Sequence, residues 1–308
     1  DTRVCIHASA DFTLPSGADA ESRPSRAAAL VVFMLTPELF HIAFYRFVRI
    51  GDAPRIAAVL RELTSELLGN VLNASEGING MLAGTVAALH RFENALQDDP
   101  RLDGLFSGIA FKRSTCITPP FRRMKVHVRA EVLPLGASVG SRVDAVGRPG
   151  VQLDPAQWRA LLAADDVVVI DNRNSFEFRL GHFRGAVDPQ VGNFRDLPAF
   201  IEANAAHWKA NGQRVAMYCT GGIRCEKTAA WMHDAFDLDV HQLEGGILRY
   251  LAETPEPQLD WQGECFVFDN RIALDAQLNE TTTTAADVYA GDADETWRLQ
   301  RAQRLAGP

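Results

Sequence analysis

The sequence predicts two domains of mixed architecture, an α+β half followed by an α/β half built on a parallel sheet. Three observations lead there. A chain of 308 residues is long for one core and comfortable for two. In the first half, β-rich runs and helix-length amphipathic stretches follow one another in the order β, α, β, β, α, β. In the second half, uninterrupted apolar and β-branched runs are separated by helices, as expected for strands buried on both faces of a parallel sheet.

Taken in order, residues 1–27 are rich in Ser, Ala, Pro and Gly without apolar periodicity and read as a flexible extension, with Val4-Cys5-Ile6 a candidate short strand. Leu30 to Met34 reads as a buried strand, and Phe40 to Val48 as a second strand or a strand-edge turn. Asp52 is the expected N-cap of a helix with Pro54 in its first turn and Ile56, Val59, Leu60, Leu63 and Leu67 on its apolar stripe, ending near Gly69. Asn70 to Asn73 is a strand, Glu76 to Gly80 a tight turn, and Met81 to Gly84 the returning strand. Thr85 caps a helix running to about Leu96 with Val86, Leu89, Phe92 and Leu96 inward. Phe106 to Lys112 and Met124 to Val132 are further strands. This order fits a ferredoxin-like (acylphosphatase-like) split βαβ sandwich over 28–135.

Residues 136–150, rich in Gly and small residues, form the expected linker. Asp154-Pro155 opens a helix through Leu162, Val167 to Ile170 is a buried strand, and Leu197 to Trp208 is a helix. Arg214 to Tyr218 is a second buried strand, and Cys225 to Phe236 a helix with Ala229, Met232 and Phe236 on one face. This second domain spans 151–255. From 256 to 308 the chain is expected to form a hairpin over Phe266 to Leu274 and a polar tail, in which Asp292 to Leu305 is a helix with an Arg-rich face.

Composition narrows the function. No apolar run approaches the roughly 18 to 20 residues that span a bilayer, which excludes a membrane protein as the expectation. The first 26 residues lack the apolar middle of a signal peptide. Five cysteines (Cys5, Cys116, Cys219, Cys225, Cys265), odd in number and widely spread, suit free thiols in a reducing cytoplasm. The net charge of -8 argues against indiscriminate nucleic-acid binding. Locally the balance reverses: Leu105 to Ala130 holds no Asp or Glu but contains Lys112, Arg113, Arg122, Arg123, Lys125 and Arg129. Strand alternation puts Arg123, Lys125, His127 and Arg129 on one face, either a phosphate track or solvent-facing decoration.

The chemistry concentrates where the strand ending at Tyr218 passes into a helix. Cys219-Thr220-Gly221-Gly222-Ile223-Arg224 places a cysteine before two glycines that let successive N–H groups turn inward as an anion nest, with the following helix dipole behind them. The same groups, with the Arg224 charge, stabilise a thiolate and so predict a nucleophile available at neutral pH. Cys225 is either a resolving thiol or a buried helix-start residue; Cys116 and Cys265 are expected to be structural. The four residues between Cys219 and Arg224 are one fewer than in the loop of cysteine phosphatases, so phosphatase activity is not expected. No pair or triad of His and carboxylates has metal-ligand spacing, so an iron site of the two-His-one-carboxylate type has no support in the sequence.

These residues resemble a known family. Asp171-Asn172-Arg173, Glu177, Gly181 to Ala186, the Cys219 to Arg224 loop and Leu243-Glu244-Gly245-Gly246 are together similar to a rhodanese domain. The wider set of Ser75 to Gly80, Pro120 to Lys125, Cys219 to Lys227 and Gly263 to Asp269 resembles the bacterial oxygen-dependent tRNA uridine(34) hydroxylases, over about residues 28 to 275. The resemblance implies 5-hydroxylation of the wobble uridine with Cys219 as the catalytic position. Molecular oxygen and an unidentified reductant would be co-substrates, with no bound metal or flavin. It also implies an RNA-binding first domain that grips the anticodon arm through the basic residues, and no protein partner is predicted. Some relatives end in a zinc-binding cysteine-rich segment, whereas no cysteine follows Cys265 here. A persulfide-carrying sulfurtransferase is the competing reading of the same loop.

Other residues carry two readings each. Asp171 and Arg173 either touch the site or hold loops together, and His182 is either a general base or part of a structural turn. Glu226 and Lys227 are either a solvated helix face or substrate contacts, and Tyr45 and Phe121 either core or base-stacking residues.

Overall fold

The computed structural model describes residues 39–136, 139 and 150–306. Two sheets organise it. The first contains β1 (Leu39–Phe47), β2 (Leu68–Ala74), β3 (Gly77–Gly84), β4 (Lys112–Cys116) and β5 (Met124–Val128) in the order β4-β1-β3-β2-β5. The first four strands are antiparallel neighbours and β5 joins β2 in parallel at the edge. Helices α1 (Ala53–Leu63) and α2 (Val86–Asp98) cover one face, packing Ile56, Leu60, Leu89, Phe92 and Leu96 against Ile42, Phe44, Val71 and Leu82. This is the expected ferredoxin-like sandwich with one added edge strand.

Local chemistry accounts for both helix starts. The side chains of Asp52 and Thr85 accept from the N–H groups of Arg55 and Ala88, each satisfying a donor that the first helical turn leaves unpaired. The proposed strand Leu30 to Met34 lies outside the described residues, and Phe40 to Val48 supplies the first described strand. Elsewhere the boundaries differ from expectation in five places. The reversal between β2 and β3 falls at Ser75-Glu76, so Ile78 to Gly80 are strand. Leu67 lies beyond the end of α1, and Val86 is 43% exposed because it opens α2 on its outer side. Phe106 and Ile109 are core residues but not strand, because Gly104 and Gly108, at φ 69° and 71°, reverse the chain before β4. The strand over Met124 to Val132 stops at Val128.

The second sheet is parallel, in the order β6 (Val151–Leu153), β10 (Val240–Leu243), β9 (Arg214–Tyr218), β7 (Val167–Asp171). One face packs α5 (Leu197–Ala210) and α6 (Ile223–Phe236), and the other packs α3 (Pro155–Leu162) and α7 (Gly246–Glu253), giving a separate core on each side. On the α3 and α7 side, Phe183 sits at the centre of an aromatic cluster of Trp158, Tyr218, Tyr250 and Trp261. Cutting such a ring back to Ala costs about 3–5 kcal/mol. The short elements α4 (Ser175–Leu180), β8 (Gly181–Phe183) and β11 (Trp261–Gly263) extend this layer, β8 pairing with β11.

The expected hairpin is present as β12 (Cys265–Phe266) with β13 (Ala273–Leu274). Past Asp275 the helix expected over Asp292 to Leu305 is present as α9 (Thr296–Ala306), and the tail before it, expected to be irregular, also holds α8 (Ala285–Tyr289). Tyr289 packs edge-on to Phe176, and Arg298 lies over the Phe176 ring while donating to Gly192 O and Asn193 Oδ1. The Arg-rich helix face is therefore partly an anchor.

Candidate active site

Strand β9 delivers Cys219 to the carboxyl edge of the parallel sheet, where open α/β folds place their ligands. The loop after it is shaped from outside. Ile247 N–H donates to Cys219 O at 3.0 Å and Leu248 N–H to Thr220 O at 3.2 Å, both from the first turn of α7. Lys112 Nζ donates to Gly221 O, and to Gly245 O at 2.8 Å. Gly222, at φ 98°, caps α6, and its N–H donates to Cys219 Sγ at 3.1 Å. Helix α6 therefore starts at Ile223, two residues before the expected Cys225. Gly246, at φ 70°, is obligatory, since a Cβ there would lie 2.5 Å from Cys219 O and 2.7 Å from Thr220 O.

Electrostatics follow from this shape. Burial alone would push the Cys219 thiol up. The Cys225 hydrogen bond, the Arg224 charge and the N–H groups of Cys225 and Arg224 outweigh it, and hold the thiol at about 5. Arg224 is fixed by a bidentate pair to Glu177, both contacts at 2.9 Å, with the Glu177 side chain wholly buried. Its guanidinium lies 5.6 Å from the ring centroid of Phe268, which the hairpin presents half-exposed. Cys225 is pushed far up by burial and then by the Cys219 thiolate, and so remains a protonated donor beside it. Asn172 Nδ2 approaches the Cys225 sulfur at 3.8 Å. Cys116 and Cys265 are raised by burial to about 11 and about 12, as inert thiols are.

The helix-free face of the first sheet forms a second wall. Tyr45 hydrogen-bonds to Glu226, whose carboxyl burial raises. Tyr45 also shares an apolar cluster with Phe47, Leu72 and Ile223. Lys112 lies 5.8 Å from the Tyr45 ring centroid, and burial lowers its ammonium to about 8. Lys227, fully buried, donates to Glu76 Oε2 and Glu131 Oε2, each at 2.8 Å, and to Leu133 O at 2.7 Å. It is neither a solvated residue nor an open substrate contact. The signal for this wall was present only as separate motifs, because Lys227 and Glu76 stand 151 residues apart.

The basic residues divide. Lys112 was expected to contact tRNA, but it points into the cysteine loop because its strand faces the second domain. Arg113, one residue on, points to the helix side and pairs with Glu93. Arg122 and Arg123 lie exposed before β5, Lys125 lies on β5 and Arg129 is exposed just beyond it. Asp171 and Arg173 form a buried bidentate pair (2.8 and 2.6 Å) that also holds Gly181 O, so they brace loops. His182 stacks on Phe178 and bonds Phe178 O. Phe121 stacks on His41. Among the described residues, no group of three His, Cys, Asp or Glu side chains could hold a metal, and no helix is long and apolar enough to cross a membrane.

Comparison with known proteins finds the same two domains in the same order. A family model described as the UPF0176 acylphosphatase like domain matches residues 40–132, and one described as the rhodanese-like domain matches residues 154–253. A tRNA uridine(34) hydroxylase of Jannaschia sp. is 43% identical over 77% of this chain and 76% of its own. One from Synechococcus elongatus is 43% identical over 77% and 86%, and one from Deinococcus radiodurans 40% identical over 77% and 76%. The chain belongs to the tRNA uridine(34) hydroxylase family. The Cys219 loop and, apart from β6 and the first residue of β1, the strands of both sheets fall within the residues that the two family models match. Among solved structures, the rhodanese-like domain of an Anabaena protein covers 36% of this chain and 78% of its own at 17% identity and a TM-score of 0.27. A Coxiella burnetii acylphosphatase covers 29% and 92% at 14% identity and a TM-score of 0.20.

Proposed function

We propose that this chain hydroxylates uridine 34 of tRNA at C5, with Cys219 as the reactive thiol. The observation that carries the reading is a thiolate held at about 5 in a backbone nest, within a chain of the hydroxylase family. A thiolate is chemically apt. Adding to C6 of a uracil ring, it makes C5 electron-rich, and C5 is where the oxygen is to go. Molecular oxygen and a reductant are the co-substrates, with no bound cofactor. One oxygen atom enters the ring, and two electrons from the reductant take the other to water.

The anticodon arm is proposed to lie along β5, against Arg122, Arg123, Lys125 and Arg129. Burial and then the charges of Arg129, Lys125 and Arg61 lower His127, the behaviour of a side chain in a positive field. The cytoplasm is the proposed compartment. The rhodanese-like match and the same nest favour one competing reading, in which Cys219 carries a persulfide.

The test is mass spectrometry of nucleosides from unmodified tRNA incubated aerobically with protein and reductant, beside Cys219→Ala and anaerobic samples. A gain of one oxygen at uridine 34, absent from both controls, is expected. Equal modification by Cys219→Ala removes Cys219 from the mechanism. No modification in any sample, with rapid charging of Cys219 by thiosulfate, selects the sulfurtransferase.

A further inference from the structure

Three successive carbonyls of the cysteine loop are each held by a donor outside the loop. Cys219 O and Thr220 O are held by Ile247 N–H and Leu248 N–H of α7, within the rhodanese-like domain. The third, Gly221 O, is held by Lys112 Nζ on β4 of the ferredoxin-like domain. A trans peptide points its C=O and N–H in opposite directions. Pulling Gly221 O outward therefore turns Gly222 N–H inward, and that N–H is found 3.1 Å from Cys219 Sγ.

We infer that Lys112 is a positioning residue for the thiolate, completing the nest from the neighbouring domain by clamping the 221–222 peptide. Without the clamp this peptide is the least restrained of the three, because it lies between Gly221 and Gly222 and a glycine pair crosses to other φ, ψ values at little cost. The groups facing the ammonium are consistent with a built contact. Gly245 O is a second acceptor, the Tyr45 ring covers one side, and Cys219, Arg249, Cys225 and Glu226 set the local field. The lysine ionises at about 8 and so is mostly an ammonium at neutral pH. The inference depends on Cys219 being the reactive thiol, and it makes thiol activation conditional on docking between the two domains.

The test is the pH dependence of Cys219 alkylation by iodoacetamide, read by peptide mass spectrometry on the full chain without tRNA or oxygen chemistry. In Lys112→Met the inflection is expected to rise by about one unit, with alkylation at pH 5 slowed several-fold, while Lys112→Arg restores most of the parent profile. Far-UV circular dichroism checks folding. Lys112→Gln, which retains a neutral donor, replaces the Met variant if that one does not fold, and it is expected to shift the inflection less but in the same direction. A folded Met or Gln variant with the parent profile overturns the inference. So does an unmoved profile with weakened tRNA binding, which would make Lys112 a phosphate contact. An ordinary thiol profile in the parent protein would instead overturn the reactive-thiol reading beneath it.

Discussion

Cys219 is 1% exposed, and burying a thiolate is costly unless hydrogen bonds and charge oppose the desolvation. The Cys225 thiol, the Arg224 guanidinium and the loop N–H groups do so here, moving the thiol from about 9 to about 5. Such a shift links ionisation to stability. The unfolded thiol takes up its proton below about 9, the folded one only below about 5, so between these values the unfolded state binds more protons. The thiolate's stabilising contribution is full above about pH 9, declines as the pH falls and is gone below about pH 5. Urea unfolding of the parent and Cys219→Ala across this range should show the parent's relative stability shrinking as the solution is acidified. A gap that widens on acidification would mean that the sulfur is not held as a thiolate.

At the scale of elements, the sequence was most legible where a local signal coincides with a physical stop. Asp52, Thr85 and Asp154 stand before apolar stripes and each caps a helix through its own side chain. Strand β9 and the glycines after it could be read because an apolar run ends where a φ of 98° is needed. Helix α4 was not visible, being only six residues long, and α7, as long as the α3 that was read, opens on Gly245 without the side-chain cap that Asp154 gives α3. The outward clamping of the loop carbonyls was also hidden, because it pairs segments distant in the chain. Gly246 provides the test at this scale. Gly246→Ala meets both a left-handed backbone penalty of about 1–2 kcal/mol and direct collision with the loop backbone. Gly104, at φ 69° with open space around it, meets only the first. Urea midpoints should therefore show Gly246→Ala losing more than Gly104→Ala, and only Gly246→Ala should slow Cys219 alkylation. Equal losses with unaltered thiol chemistry would show that α7 does not shape the nest.

Across the whole molecule, the reactive thiol sits on one sheet while part of its surroundings comes from the other, so the contact between the two domains belongs to the chemistry. Lys227 is the centre of that contact. It leaves the second turn of α6 and places its ammonium between Glu76, in the β2–β3 turn, and Glu131, in the segment after β5. Glu76 meanwhile accepts from Val132 N–H at 2.8 Å and Leu133 N–H at 3.3 Å, tying the same turn to the chain that leads into the second domain. Lys227→Met keeps most of the apolar stem but leaves two carboxylates facing each other, each less than a fifth exposed. Removing one partner of such a buried network costs on the order of 3 kcal/mol. The cost should appear in urea unfolding. It should fall by more than half when Glu76→Gln and Glu131→Gln are added, because uncompensated charge, rather than lost packing, is its source. If Lys227→Met instead stays within about 1 kcal/mol of the parent, the domains are held by the apolar cluster of Tyr45, Phe47, Leu72 and Ile223 and by the Lys112 and Tyr45 hydrogen bonds, and the lysine does not secure the helix that carries the cysteine loop.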